Sequence, residues 1–403
     1  MEPTTSIDKN EDDPPDSSQL SKQKVSLKEP PGATGSFFVA PAENELPRPK
    51  GRISLRPSPT VVPLSGTKVG QVPCLPADRF CDFIPAASLR LRGRSDSRRR
   101  QDILSQNNIE IISDIDRCFG LWQELSSKKT LFDTWEFRFA FYKGYRFKPH
   151  FLLLKNNEDN LALLPLWYDE DKKKYTWFGS DWQEEVRFFA KNPDSMERLL
   201  SVSPSPLFLN AIAEESYALL NNKEKFQIDD AKYILELEGL KTHEDHLMSL
   251  KKNTRHNLRK DRRRIERQNP EIIINDFSLL PSLIALNKKR FKKDSGWNDS
   301  RRVETFSQVI KLSGKSYTAR MVAIKIGDRI AGADLICVYN GTYFALSGGY
   351  DVKDFSGIGN YMNLVEIDDA ISLGCNKIDF LQNNFEWKDN WLAAVPLFKY
   401  EKN

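Results

Sequence analysis

From residue 101 onward, apolar residues recur with the periods of regular structure. In 114–125 (DIDRCFGLWQEL), Ile115, Cys118, Phe119, Trp122 and Leu125 share one helical face, with Ser113 placed to cap it. The aromatic run 132–145 is amphipathic. HFLLLK (150–155), a polar turn, LALLPLWY (161–168) and YTWFG (175–179) read as strands of a meander. A helical stretch over 207–221 and a strand over 231–238 follow. Residues 243–268 then read as one long basic helix, with acids near its start and Leu247, Leu250, Leu258 and Ile265 as a thin apolar seam. Pro270 stops it. A short strand (271–275) and two helices (279–293, 299–312) come next.

The last ninety residues are patterned most clearly. Strands are predicted over 317–326, 330–339 and 342–350, and Asn340-Gly341 signals a type I′ hairpin. The loop Asp354-Phe355-Ser356-Gly357-Ile358-Gly359-Asn360 leads into a helix that Gly374 ends. A further strand covers 376–381. The order is hairpin, third strand, glycine loop, helix, strand.

Residues 1–100 differ in kind. They hold 14 of the 22 prolines and none of the eight tryptophans, without apolar period. Such a segment is expected to be disordered. Residues 1–50 carry 6 Lys/Arg against 9 Asp/Glu, and residues 51–100 carry 10 against 3. The remainder is balanced at 44 of each, so any basic site in the body must be local. The Arg-rich stretch 89–100 reads as a solvated linker or as an anionic docking tail.

No run of about 18 apolar residues is present, which argues against a spanning helix. The polar N-terminus lacks the apolar core of a secretory signal. Five scattered cysteines form no CxxC pair, and no two of the four histidines are spaced as a metal-ligand pair of the HExxH kind. These point to a cytoplasmic protein without a metal.

A glycine loop entering a helix lets backbone approach a ligand, and the first-turn amides favour an anion. By itself it is more often a plain turn. It is neither a phosphate loop with a following Lys-Ser/Thr nor a dinucleotide fingerprint. The strand–loop–helix–strand context resembles the core of the GNAT acyltransferases, where this loop holds the pyrophosphate of acyl-CoA. A narrower resemblance is to CelD/Fem-like acetyltransferases. It is carried by SLKKNTRHNLRKDRRRIE (249–266), by LNKKRF (286–291), by the LLPLWY block, and by GYDVKDFSGIGNYMNLVEIDDAISLGCNKIDFLQNNFEWKDNW (349–391). Four positions depart from that pattern. Ser356 runs straight into Gly357 without the usual proline, and Asn287 replaces a histidine. Asn383 replaces a glycine, and Trp387 a tyrosine.

The resemblance implies an α+β fold of two tandem GNAT-like domains, each a mostly antiparallel sheet flanked by helices. The implied boundaries are 101–238 for a degenerate first domain and 239–403 for the acyltransferase domain. It implies transfer of an acetyl or other acyl group from acyl-CoA to an amine or hydroxyl of a small-molecule or glycan-precursor acceptor, in cell-envelope biogenesis. The alternatives are Fem-type transfer from aminoacyl-tRNA and a non-catalytic RNA-binding scaffold. It assigns Ser356, Gly357, Ile358, Gly359 and Asn360 to the acyl-CoA. Lys388, Trp391 and Asp351 go to catalysis, with Lys388 on an anionic substrate group or the reacting carbonyl. Arg255 and Arg259, at i and i+4, either clamp an acceptor phosphate or belong to a solvated basic face. The helix 247–267 is a candidate surface for an anionic partner, tRNA included. Asp379 reads as the buttress of a strand end, and Glu366 as the partner of a nearby base.

Overall fold

The computed structural model describes residues 108–403, apart from residues 158, 181, 183, 384 and 385. The segment read as disordered, with its Arg-rich end, lies outside the described residues.

Strand β1 (Ile109–Ile112) leads into helix α1 (Ile115–Leu125). The cap is Asp114 rather than Ser113. Its carboxylate accepts from the Arg117 amide at 2.9 Å, and a charged acceptor suits the positive end of the helix. A short 3₁₀ turn precedes α2 (Trp135–Tyr145). Strands β2 (Pro149–Asn156), β3 (Asp159–Asp169) and β4 (Lys174–Trp177) form the expected meander. After the short β5 (Phe189–Ala190) comes α3 (Pro193–Val202), capped by Asn192 and absent from the sequence reading. The stretch 207–221, read as helical, splits into β6 (Leu207–Ala213) and α4 (Glu214–Leu219). A short run of Leu, Ile and Ala fits either period, and pairing with neighbouring strands decides it. Strands β7 (Phe226–Ile228) and β8 (Lys232–Glu236) follow.

The long basic helix is two helices, α5 (His243–Ser249) and α6 (Lys252–Glu266). Leu250 and Lys251 are extended between them. Arg255 satisfies the carbonyls that the break exposes, donating to Met248 O at 3.0 Å and Leu250 O at 3.4 Å. The chain continues through β9 (Glu271–Ile274), α7 (Leu280–Phe291) and α8 (Ser300–Lys311). Then come β10 (Thr318–Ile326), β11 (Arg329–Tyr339), β12 (Thr342–Tyr350) and α9 (Ile358–Ser372). The Asn340-Gly341 hairpin has both central residues at positive φ, as a type I′ turn requires. The chain ends with β13 (Lys377–Asp379), α10 (Glu386–Trp391), β14 (Ala393–Val395) and β15 (Leu397–Lys402).

Two sheets result. The first runs β1-β2-β3-β4-β6-β15-β7, with β5 on β3; the second runs β9-β10-β11-β12-β13-β8-β14. Each is antiparallel except at one step, β4 to β6 in the first and β12 to β13 in the second. The sheets exchange strands: β8 pairs β13 and β14, while the C-terminal β15 returns to pair β6 and β7. Aromatic contacts join the two layers. Phe132 meets Phe344 edge-on at 5.7 Å, and Phe141 meets Phe306 at 6.0 Å. Each such ring removes enough apolar surface from water to stabilise the junction by about 1.5–3 kcal/mol.

Candidate functional site

The two parallel strands of the second sheet part company. β12 pairs β13 over Thr342↔Lys377, Tyr343↔Ile378 and Phe344↔Asp379, and there β13 stops. β12 continues through residue 350. Among the described residues, 345–350 has a strand partner on the β11 side only. The β11 register slips at Leu346, a bulge that bends β12 at this point. The result is a wedge with one strand's backbone along its wall.

The opposite wall is held open by a buried ammonium. Leu381 (φ 64°) and Asn383 (φ 72°) both adopt left-handed backbone, which turns the chain away from β12. Asn383 stands where the family pattern has glycine, and Asn is a residue that tolerates this conformation. The carbonyls of Phe380, Leu381 and Gln382 then converge on Lys388 Nζ at 2.7, 3.2 and 2.7 Å. Lys388 is fully buried. Burial pushes its ammonium down to about 8, against the opposing pull of Glu184 and Asp379. Asp379 accepts from the Leu381 amide at 2.9 Å and from Lys232 at 3.2 Å, so it buttresses the strand end. Glu184, pushed up to about 7 by loss of water, accepts from the Gln382 amide at 2.7 Å. Trp391 is buried, edge-on to Trp387 at 5.4 Å. Lys388 therefore sits behind the wedge wall and binds its carbonyls, and Trp391 packs against Trp387 and His246.

At the wedge mouth, Gly357 (φ 90°) turns the chain into α9. By helix geometry, the amides of Gly359 and Asn360 have no carbonyl one turn back. α6 lies against this loop. Arg264 donates to Ser356 Oγ at 2.8 Å and forms an ion pair with Asp261 at 3.1 Å. Asp261 accepts from the Asn360 side chain at 2.7 Å. A Cβ on Gly357 would lie 2.8 Å from that of Asp261, so a side chain there is excluded twice over, by φ and by contact. Ile358 is buried beneath the loop. Asp351, at the end of β12, is buried and ion-paired with Lys289 (2.8 Å) and Arg329 (2.6 Å).

Arg255 and Arg259 are elsewhere. Arg259 pairs with Glu244, and Arg255 caps the α5 break. Among the described residues, no basic side chain pairs with Glu366. It is fully buried near Asp334, likewise fully buried, and Tyr350 Oη donates to Asp334 at 2.6 Å. Burial pushes both carboxyls up: Asp334 to about 7, against the opposing hydrogen bonds of Tyr350 and Glu366, and Glu366 well above its ordinary range, where the Asp334 charge adds to burial. Sequence reasoning missed Asp261, Arg264, Lys232 and Asp334. The first two were visible in the basic helix, but nothing in its spacing shows which face meets the loop. Among the described residues no group of three or more His, Cys, Asp or Glu is arranged to hold a metal, and no helix is long and apolar enough to cross a membrane.

Residues 252–389, which hold the wedge and the loop, match the family model described as "Acetyltransferase (GNAT) domain". No curated protein matches the sequence. Similar solved structures include FemX, at 11% identity and TM-score 0.49, covering 73% of this chain and 98% of that one. L-PGS from Bacillus licheniformis gives 12% and 0.47, with 72% and 93% covered. A tandem GNAT protein from the clavulanic acid biosynthesis pathway gives 9% and 0.39, with 73% and 98% covered. The match covers β9 to β13 of the second sheet with the helices α6 to α9, and the α+β, two-sheet fold read from the sequence is the fold observed.

Proposed function

We propose that the protein is an acyltransferase that takes an acetyl or other acyl group from acyl-CoA, in the wedge between β12 and β13, and passes it to an amine or hydroxyl. The observation that carries this reading is the wedge itself, opening onto the Gly357 loop inside the segment that matches the GNAT domain. The residues present suit such a donor. The strand edge over 345–350 offers backbone amides of the kind that polarise a thioester carbonyl and stabilise the oxyanion formed on attack. The loop offers first-turn amides to a phosphate, and Arg264 sets a guanidinium beside them. Acyl-CoA supplies the activated thioester when bound.

In this reading Lys388 acts through the backbone. With its donors spent on three carbonyls, it fixes the angle of the 380–382 wall against β12. Asp351 fixes the far end of β12 through Lys289 and Arg329. Much of the rate then comes from holding donor and acceptor together, a contribution that needs no dedicated base.

The test is thermal unfolding of the full chain with acetyl-CoA, with CoA and with neither. At a hundred times its dissociation constant, a ligand that binds the folded state alone stabilises by about 2.7 kcal/mol. The reading expects a raised midpoint with acetyl-CoA that Gly357→Glu abolishes. An unchanged midpoint with both CoA species would sink it.

A further inference from the structure

Helix α6 sorts its cations between two faces. On the inner side Arg259 pairs with Glu244, Arg262 with Glu266, Arg264 with Asp261, and Arg255 caps α5. On the outer side Lys252, His256, Lys260, Arg263 and Arg267 follow one another at steps of four, four, three and four residues. Lys251 stands just before them, and all six are exposed. Among the described residues, no carboxylate lies within ion-pair distance of Lys251, Lys252, Lys260, Arg263 or Arg267. Like charges at this spacing repel by a few tenths of a kcal/mol per pair. The row therefore weakens the helix, and no acid in the described chain relieves it.

We propose that this row is a docking surface for the phosphate backbone of a nucleic-acid duplex, bound without regard to sequence. At 1.5 Å per residue it extends about 22 Å. A duplex carries a phosphate about every 1.7 Å of its axis, both strands counted, so a row of this length lies within reach of several phosphates whichever way it crosses the grooves. The charge forms a line, not a plane. Its flank carries the closed pairs Arg259–Glu244 and Arg262–Glu266, which leave little net charge for a flat anionic membrane to attract. α6 carries no Phe, Tyr or Trp, so a single strand finds only His256 and the guanidinium planes there on which to stack its bases. The duplex, with its higher charge density, is the better fit. This surface is independent of the acyl-transfer reading.

Fluorescence anisotropy on the full chain tests it, with a 20-base-pair DNA duplex, the matching RNA duplex, one single strand, and phosphatidylserine vesicles, each titrated from 50 to 300 mM salt. The five cations give an expected slope of log K against log salt of about −4.5, at about −0.9 per phosphate neutralised, with duplexes bound more tightly than the single strand. The Arg-rich stretch 89–100 adds a constant contribution of its own, so the decisive comparison is between variants. The triple change Lys252→Gln, Lys260→Gln, Arg263→Gln is expected to flatten the slope by about 2.7 without lowering the thermal midpoint, since it relieves repulsion along the helix. Lys311→Gln, an exposed change on α8, is expected to alter it by no more than a control. An unchanged slope in the triple variant, absence of duplex binding at 50 mM salt, or binding to vesicles without binding to duplex would each overturn the proposal.

Discussion

The two sheets share a layout, yet they treat the same place in opposite ways. In each, four antiparallel strands are followed by one parallel step and then two antiparallel strands. In the first sheet the parallel step, Tyr175↔Leu207, is followed by closure. The chain after β4 returns and lays Val186 alongside Ile212. The Val186 amide donates to Ala211 O at 2.7 Å, and the Ala213 amide donates to Val186 O at 2.9 Å. Trp177 adds an indole bond to Asn210 O at 2.9 Å. Gly179 (φ 66°) sits so close to Arg138 that a Cβ would lie 2.7 Å from the arginine carbonyl, and the buried guanidinium donates to Phe132 O and Gly179 O. In the second sheet, among the described residues, no strand returns to residues 345–350, and the chain passes into the glycine loop. One topology thus yields a wedge stitched shut by its own backbone and a wedge left open. The parallel step creates the opportunity for a site, and the path of the following loop decides whether it is kept.

The largest effect should come from removing the strut of the open wedge. Lys388→Met strands three buried carbonyls and is expected to destabilise the protein by about 3–5 kcal/mol in urea unfolding. A loss under about 1 kcal/mol would mean that the 380–382 wall keeps its shape without the ammonium, and the contrast between the wedges would need another cause.

A paired substitution separates the wedges directly. Gly179→Ala and Gly357→Ala each place a side chain at positive φ against a neighbour, and each should cost about 1–3 kcal/mol. Calorimetric titration with acetyl-CoA should register the change at Gly357 as a loss of affinity of at least tenfold and the change at Gly179 as none. Equal effects on binding would erase the distinction.

The buried acids under β12 give the next contrast. Asp334 and Glu366 keep protons when folded that they release above about pH 4 when unfolded. Their folded values are raised, so their contribution is fully present below the unfolded value and is lost as pH rises toward the folded one. One such proton is worth about 1.4 kcal/mol per pH unit. His246, pushed down to about 4 by burial, works in the opposite direction below its ordinary value. The clean quantity is therefore the stability difference between wild type and Glu366→Gln. It should shift by about 1.4 kcal/mol per pH unit in favour of the variant from pH 5 to 7. A difference that stays flat with pH would show that Glu366 is ionised in the fold.

The smallest effect is expected at Asn383→Gly. The residue is already left-handed, so restoring the family's glycine should change stability by less than about 0.5 kcal/mol in either direction. A larger loss would point to a side-chain role for Asn383 in the wall.

Much of this was legible in the sequence where periodicity was strong. The hairpin at Asn340-Gly341, the strands around it, the glycine loop and the helix after it all appear close to their expected bounds. The misreadings share a cause. The stretch 207–213 lacks a decisive period and became a strand through pairing that local sequence does not encode. The basic helix broke at Leu250–Lys251 because a guanidinium from the next turn caps the break. The exchange of β8 and β15 between sheets joins residues far apart in the chain and leaves no local mark. The site was half legible. Gly357 announced itself by spacing, and Asp379 as a strand buttress. Lys388 was singled out by its motif, but its burial behind three carbonyls depends on left-handed residues at 381 and 383. Which arginines of α6 face the loop was set by packing against α9, so Arg264, and not Arg255 or Arg259, lies beside Ser356.

The most direct measurement is hydrogen exchange of backbone amides, followed by mass spectrometry, with and without saturating acetyl-CoA. The account expects slowed exchange in peptides covering 345–350 and 357–361, and unchanged exchange in those covering 177–190 and 207–213. Protection centred on the first-sheet peptides, or none at 345–350 and 357–361, would contradict it.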